Sequence, residues 1–255
     1  VAESPQTEVT LTWTAVGDDG HTGVASYYDI RYSTVTITES NWSSAVQVQG
    51  EPAPQEAGEL ETFTVTGLDV ENQDSLLQAF AAIRPDVVVN CVGLVKQLAV
   101  ANDPLQAVPI NSLLPHRLAA LCQAGGARLI HVSTDCVFSG SRGNYLESEF
   151  PDADDLYGRS KLLGEVDYPH AITLRTSIIG HELSSNKSLV NWFLSQEGSV
   201  KGFTRAIFSG LPTVELATVI LNSVLPRPEL HGLYDVSAEP ISTYDLLQLV
   251  AETYG

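Results

Sequence analysis

Tyr157-Gly-Arg-Ser-Lys161, preceded by His131-Val-Ser-Thr-Asp-Cys-Val-Phe-Ser-Gly140, is the stretch around which the rest of the chain makes sense. Asp155 is placed to cap a helix opening just before Tyr157, and Leu162 and Leu163 continue it. Residues four apart on a helix lie one above the other, so the Tyr157 phenol and Lys161 ammonium are expected to share a face. A cation beside a phenol favours the phenolate, which would draw the Tyr157 pKa down toward working pH. Tyr157 is therefore a candidate general acid for a carbonyl oxygen that receives hydride. Surface helices produce Tyr-x-x-x-Lys by chance. Here a strand, Arg128-Leu-Ile-His-Val-Ser-Thr134, precedes it and ends in hydroxyls able to hold the same carbonyl.

Outward from this stretch, helix and buried strand alternate from Asp69 onward. Asn72 can cap a helix carrying Leu76, Leu77, Phe80 and Ile83, which Pro85 stops. Asp86-Val-Val-Val-Asn-Cys-Val-Gly93 is a near-continuous apolar run, as expected of a parallel strand covered on both faces. Asn111 is expected to open the next helix, with Leu118, Leu121 and Cys122 on one face, Pro115 in its first turn and Gly125-Gly126 at its end. Ala171-Ile-Thr-Leu-Arg-Thr-Ser177 reads as another buried strand. Helices follow over about 187–196, 214–225 and 243–254, the last with Ser242 and Asp245 as a capping box.

These motifs together resemble the extended short-chain dehydrogenase/reductase family, in its dTDP-4-dehydrorhamnose reductase branch, whose strand-end motif runs Ser-Thr-Asp-x-Val-Phe. The resemblance covers residues 69–255. It implies a Rossmann-like, doubly wound parallel sheet and NAD(P)-dependent reduction or epimerisation at a keto group of a nucleotide sugar. It implies Thr134, Tyr157 and Lys161 as catalytic residues, Thr134 binding the carbonyl. Cys91, Val92, Gly93, Tyr157, Lys161 and Thr176 would line NAD or NADP, and Asn111 would shape the central helix. Lys201 and Arg205 would meet a nucleotide-sugar phosphate, although two cations on a loop also read as merely solvated. The reductase part would be cytoplasmic, and a homo-oligomer is compatible with it.

Residues 1–68 read differently. Glu8-Val-Thr-Leu-Thr-Trp-Thr-Ala15, Ser26-Tyr-Tyr-Asp-Ile-Arg-Tyr-Ser33 and Glu61-Thr-Phe-Thr-Val-Thr66 alternate in period two, the pattern of antiparallel strands with one wet face. Over residues 5–68 they resemble the first strands of a fibronectin type III domain, which leaves an extracellular setting open for this part. The chain thus divides into a partial β segment, 1–68, and a reductase-like domain, 69–255. Together they read as a chimera in which the β segment replaces the family's first strand, Gly-rich turn, first helix and second strand. Gly17-Asp-Asp-Gly20-His-Thr-Gly23 has the spacing of a phosphate loop, but Asp18 and Asp19 would set carboxylates against phosphates, and a strand pattern follows. It reads as a turn. Weak cofactor binding is the consequence, and a non-catalytic binding or interaction module is the competing expectation.

Composition bounds the rest. At 255 residues and a formal net charge of −18, the chain is poorly matched to a nucleic-acid backbone or an anionic membrane. No apolar run approaches a membrane span. Cys91, Cys122 and Cys136 lack metal-ligand spacing, so no metal is expected and the thiols read as small buried hydrophobes. A start at Val1 and the absence of Met suggest a fragment or processed product.

Overall fold

The structure, a computed structural model, describes residues 8–15, 22–32, 38–47, 52–66, 69–182 and 188–254. The N-terminal part contributes β1 (Glu8–Thr14), β2 (Arg31–Tyr32), β3 (Val46–Gln47) and β4 (Leu60–Thr66). Among its described residues the only helical piece is a single turn at Trp42–Ser44. The loop Gly17–Gly20 falls outside the described residues.

From Asp69 the alternation of helix and strand is realised. Asn72 caps α1 (Gln73–Ile83), its side chain accepting from the N–H groups of Asp74 and Ser75. Arg84 closes the helix in the left-handed region at φ 51°, ahead of Pro85. After β5 (Val87–Asn90), the next helix opens earlier than the sequence suggests. Asp103 caps α2 (Pro104–Ala107), which passes through a π-helical segment, Val108–Leu113, directly into α3 (Leu114–Gly125). Asn111 therefore sits inside a continuous helix rather than at its start. Pro115 has no N–H to give the Asn111 carbonyl, and the ladder shifts its register here instead of breaking. Gly126, at φ 74°, ends α3, and Ala127 N–H reaches back to the Cys122 carbonyl.

The chain continues through β6 (Arg128–Thr134), α4 (Leu156–Leu163), β7 (Ala171–Thr176) and β8 (Ile178–Ile179). It then forms α5 (Leu189–Leu194), β9 (Ile207–Phe208), β10 (Leu211–Pro212), α6 (Thr213–Val219), β11 (Gly232–Asp235), β12 (Ile241–Ser242) and α7 (Thr243–Tyr254). At the start of α7, Ser242 Oγ accepts from Asp245 N–H, while Asp245 takes the Ser242 hydroxyl proton, a variant of the capping box.

The main sheet has six strands in the order β11-β7-β6-β5-β1-β4. The pairs β5–β6, β6–β7 and β7–β11 are parallel, as the unbroken apolar strands require. The partner of β5 on its other side is β1. It runs antiparallel, pairing Thr10, Leu11 and Thr12 with Val89, Val88 and Val87. Beyond it β4 pairs antiparallel with β1 and is thereby parallel to β5. That edge of β5 is thereby covered, and β1 and β4 share one hydrogen-bonded sheet with the region from Asp69 onward. Asp69 and Val70 lie at the turn leading into Asn72.

The core lies on both faces of this sheet. Leu76, Val88, Leu114, Leu118, Cys122 and Leu129 fill one cluster, with Ile130, Ile172, Leu174 and Val224 in another. All parallel strands end on the same edge, and that edge carries the polar residues that follow.

Candidate active site

Three strand ends and one helix start converge. β6 and β7 finish in register, with Thr134 opposite Thr176. Crevices beyond the carboxyl ends of parallel strands are where α/β folds bind ligands. Thr134 caps the following turn, its hydroxyl oxygen accepting from Cys136 N–H at 3.1 Å, and lies 6 % exposed. Asp155 caps α4 as expected, accepting from Gly158 N–H at 2.7 Å, and Lys96 pairs with the same carboxylate at 2.6 Å.

Gly158 is what lets α4 come close enough. A Cβ there would meet the Cys136 carbonyl at 2.3 Å and the Ala153 Cβ at 2.5 Å. Gly164 does the same at the far end, where a Cβ would stand 2.0 Å from the Asn111 carbonyl. Between these glycines α4 is bolted to the helix carrying Asn111. Asn111 Nδ2 donates to Ser160 Oγ at 3.1 Å, and Ser112 Oγ donates to the Ser160 carbonyl at 2.8 Å. Asn111 also holds the turn after β5, accepting from Leu94 N–H at 2.8 Å and donating to the Leu94 carbonyl at 3.2 Å.

This docking brings Tyr157 near Thr134, whose hydroxyl favours the ionised phenol. Lys161, 5 % exposed, sends Nζ to the Val132 carbonyl at 3.0 Å, and Gly93 lies against the same ammonium. Thr134, Tyr157, Lys161 and the Gly93 turn thus face one edge.

The electrostatics differ from the sequence expectation. The Tyr157 phenol is pushed up to about 12, first by burial, with Asp135 and Asp155 adding to the rise and Thr134 opposing it. Lys161 donates to a backbone carbonyl, and burial is the largest influence on the phenol. Burial instead lowers Lys161 to about 8, with Glu165 and Cys91 pulling the other way. Tyr157 is a held proton donor, and Lys161 is an ammonium close to losing its proton.

Of the other residues singled out from sequence, Val92 and Gly93 are half-buried beside the trio, and Cys91 is exposed, not buried. Cys122 is buried as expected, and Cys136 is intermediate. Thr176 is buried, its hydroxyl turned to the Ser177 carbonyl at 3.1 Å. Lys201 and Arg205 are not brought to the trio. They are exposed on the loop that packs against the start of α7, where Thr243 and Tyr244 N–H groups bond to Ala206 and Phe203 carbonyls.

Sequence reasoning missed a buried ion pair just beneath the site. Arg175 clasps Glu165 with two bonds of 2.8 and 2.7 Å, both side chains 5 % exposed, and Ser133 donates to the same carboxylate at 2.9 Å. Among the described residues no group of acidic, His and Cys side chains could hold a metal ion, and no helix is long and apolar enough to cross a membrane.

The RmlD substrate binding domain matches residues 45–255. The chain belongs to that family. Its family region begins ahead of β4, so the match takes in part of the stretch that reads as fibronectin-like. A relative in Danio rerio, methionine adenosyltransferase 2 subunit beta, is 29% identical over 198 residues, covering 72% of this chain and 60% of that protein. The chain therefore spans less than two thirds of that relative. A dTDP-4-dehydrorhamnose reductase of Mycolicibacterium smegmatis is 24% identical over 256 residues, covering 95% of this chain and 76% of the relative. Among solved structures, dTDP-4-dehydrorhamnose reductase from Bacillus anthracis in complex with NADP superposes with a TM-score of 0.64 at 24% identity, covering 73% of this chain and 68% of that one. The likeness places the α/β architecture with its parallel sheet among Rossmann-like folds.

Proposed function

We propose that the chain carries an NAD(P)-dependent reductase or epimerase site for a keto group of a nucleotide sugar, acting in the cytoplasm and loaded weakly. The observation that carries this is the convergence of Thr134, Tyr157 and Lys161 beside the Gly93 turn, on the edge where parallel strands end. A dinucleotide bound there would supply hydride to the keto carbon. Thr134 holds the carbonyl oxygen, and Tyr157 donates the proton as that oxygen gains charge. Its pKa of about 12 keeps it protonated until then. Lys161 stands near the Cys91–Gly93 turn and, on moving from the Val132 carbonyl, would hold the ribose. Cys91, Val92, Gly93 and Thr176 would line the nicotinamide half. Lys201 and Arg205 would need the loop to swing toward the site to meet a sugar-nucleotide phosphate. The division into a partial fibronectin-like unit, 1–68, and a reductase-like unit, 69–255, belongs to the same reading, with the two halves sharing one sheet.

Similarity to a protein named methionine adenosyltransferase 2 subunit beta favours a second reading, a non-catalytic interaction module that keeps the trio as a relic. Deuterium transfer separates the two. With NADH or NADPH deuterated at the transferable position and a nucleotide 4-keto sugar, slow label transfer is expected from the wild type and none from Tyr157→Phe. Equal background in both would leave the module reading.

A further inference from the structure

One fully buried titratable ring has no part in this chemistry. His131 lies mid-strand in β6, 0 % exposed, with Nδ1 3.0 Å from the side-chain Nδ2 of Asn90, its pairing partner on β5. The Asn90 amide has no freedom to flip. Its Oδ1 accepts from the Val92 N–H at 3.1 Å, so an oxygen must face Val92 and the NH₂ must face His131. A ring nitrogen that receives a donor must be unprotonated. His131 is therefore the neutral tautomer with its proton on Nε2, the atom that is buried without a partner.

We propose that His131 is a positioning residue: by accepting from Asn90 it fixes the amide that grips Val92, and so sets the Cys91–Gly93 turn against the Lys161 ammonium. This rests on reading that turn as the wall of the dinucleotide site. A protonated ring would put two donors face to face and add a cation near Lys161. Burial holds His131 well below the ordinary histidine range, with Lys161 and His116 adding to the fall and the Asn90 backbone opposing it. The chain runs from His131 to Asn90 and from Asn90 to Val92 through neutral hydrogen bonds, to Gly93 through the peptide bond, and to Lys161 by close approach.

The test uses the ¹⁵N-labelled full chain without ligand, then NADH as probe. Long-range ¹H–¹⁵N spectra should show His131 protonated on Nε2 alone and unchanged from pH 8 to 5.5. His131→Leu, which removes the acceptor, should speed exchange of the Val92 amide roughly fivefold, the size of one net hydrogen bond. His131→Asn places an oxygen near the position of Nδ1 and should restore protection. NADH affinity should fall in His131→Leu and recover in His131→Asn. A proton on Nδ1, directed at the Asn90 carbonyl, or a ring that titrates above pH 6, would overturn the proposal. So would unchanged Val92 exchange in His131→Leu. If that variant fails to fold, the wild-type tautomer and His131→Asn still decide. If wild-type protein shows no NADH affinity, the dinucleotide reading fails while the tautomer and exchange results still judge His131.

Discussion

Lys161 is the residue at which stability and proposed chemistry pull apart. Its ammonium is buried, and its pKa in the fold, about 8, lies below the 10.5 of an exposed lysine. Below pH 8 both folded and unfolded chains carry the proton, and the full cost of burying the charge is present. Between about 8 and 10.5 the unfolded chain binds more protons than the folded one, so this group's contribution rises with pH. Cys122, pushed up to about 12 by burial from a usual 9.0, acts in the opposite direction above pH 9. Comparing variants isolates the lysine. Lys161→Met should melt higher than wild type at pH 7, by an amount of order 1–3 kcal/mol after loss of the Val132 hydrogen bond. That advantage should fade as pH rises from 8 to 10.5, which thermal melts across pH will show. Gly158 makes a second residue-scale case. Gly158→Ala forces a methyl onto the Cys136 carbonyl and should cost about 1–3 kcal/mol while moving Tyr157 off Thr134. Gly125→Ala, with open space around its Cβ and a helical position, should be neutral or gain up to ~1 kcal/mol in the same melts.

Among the elements, the join of α4 to β7 rests on the Arg175–Glu165 pair. Removing one partner leaves the other charge buried, so Arg175→Met should cost about 3–5 kcal/mol in urea unfolding. The double variant Arg175→Met/Glu165→Leu should recover part of it, because neither charge of the pair is left unpaired, although the buried Ser133 hydroxyl loses its acceptor. Glu165 lies just past the end of α4, and a sequence does not say which strand will meet it, so the pair was invisible. The local features were legible: Asn72 and Asp155 as caps, Gly126 as a stop, and β6 to its last residue, all set by neighbours in the chain. The π-helical segment Val108–Leu113 was not, because it exists to aim Asn111 at Leu94 and Ser160, contacts far apart in sequence. The bond from Lys161 to Val132 was hidden for the same reason. Helical spacing puts Tyr157 and Lys161 on one face, but the Val132 carbonyl that takes the ammonium belongs to another strand. That Thr134, Tyr157 and Lys161 lie on one edge was readable from motif alone.

At the scale of the whole molecule, the direction of β1 governs what the sheet can bind. The family resemblance calls for a strand beside β5 whose carboxyl end delivers a Gly-rich turn to the site edge, where backbone N–H groups and a helix start hold the pyrophosphate. Here that place is filled by a strand running the other way. Because Thr12 pairs with Val87 and Thr10 with Val89, β1 finishes at the amino edge of β5. Ala15 then bonds Glu59 and Gly58, and Gly23 bonds Ala57, so the chain on both sides of residues 16–21 stays at the edge opposite Gly93 and Thr134. We expect a cradle for the pyrophosphate to come from elsewhere, on a chain whose formal charge is −18. Lys161 and the Gly93 turn remain for the nicotinamide half. A ligand at about a hundred times its Kd would stabilise the fold by roughly 2.7 kcal/mol. We expect no clear melting shift with NADH or NADPH at millimolar concentration, and label transfer, where it occurs, to be limited by loading. A robust shift that disappears in Lys161→Ala would mean that another element reaches the phosphates. A shift that survives Lys161→Ala would place the dinucleotide away from the trio and overturn the site as drawn.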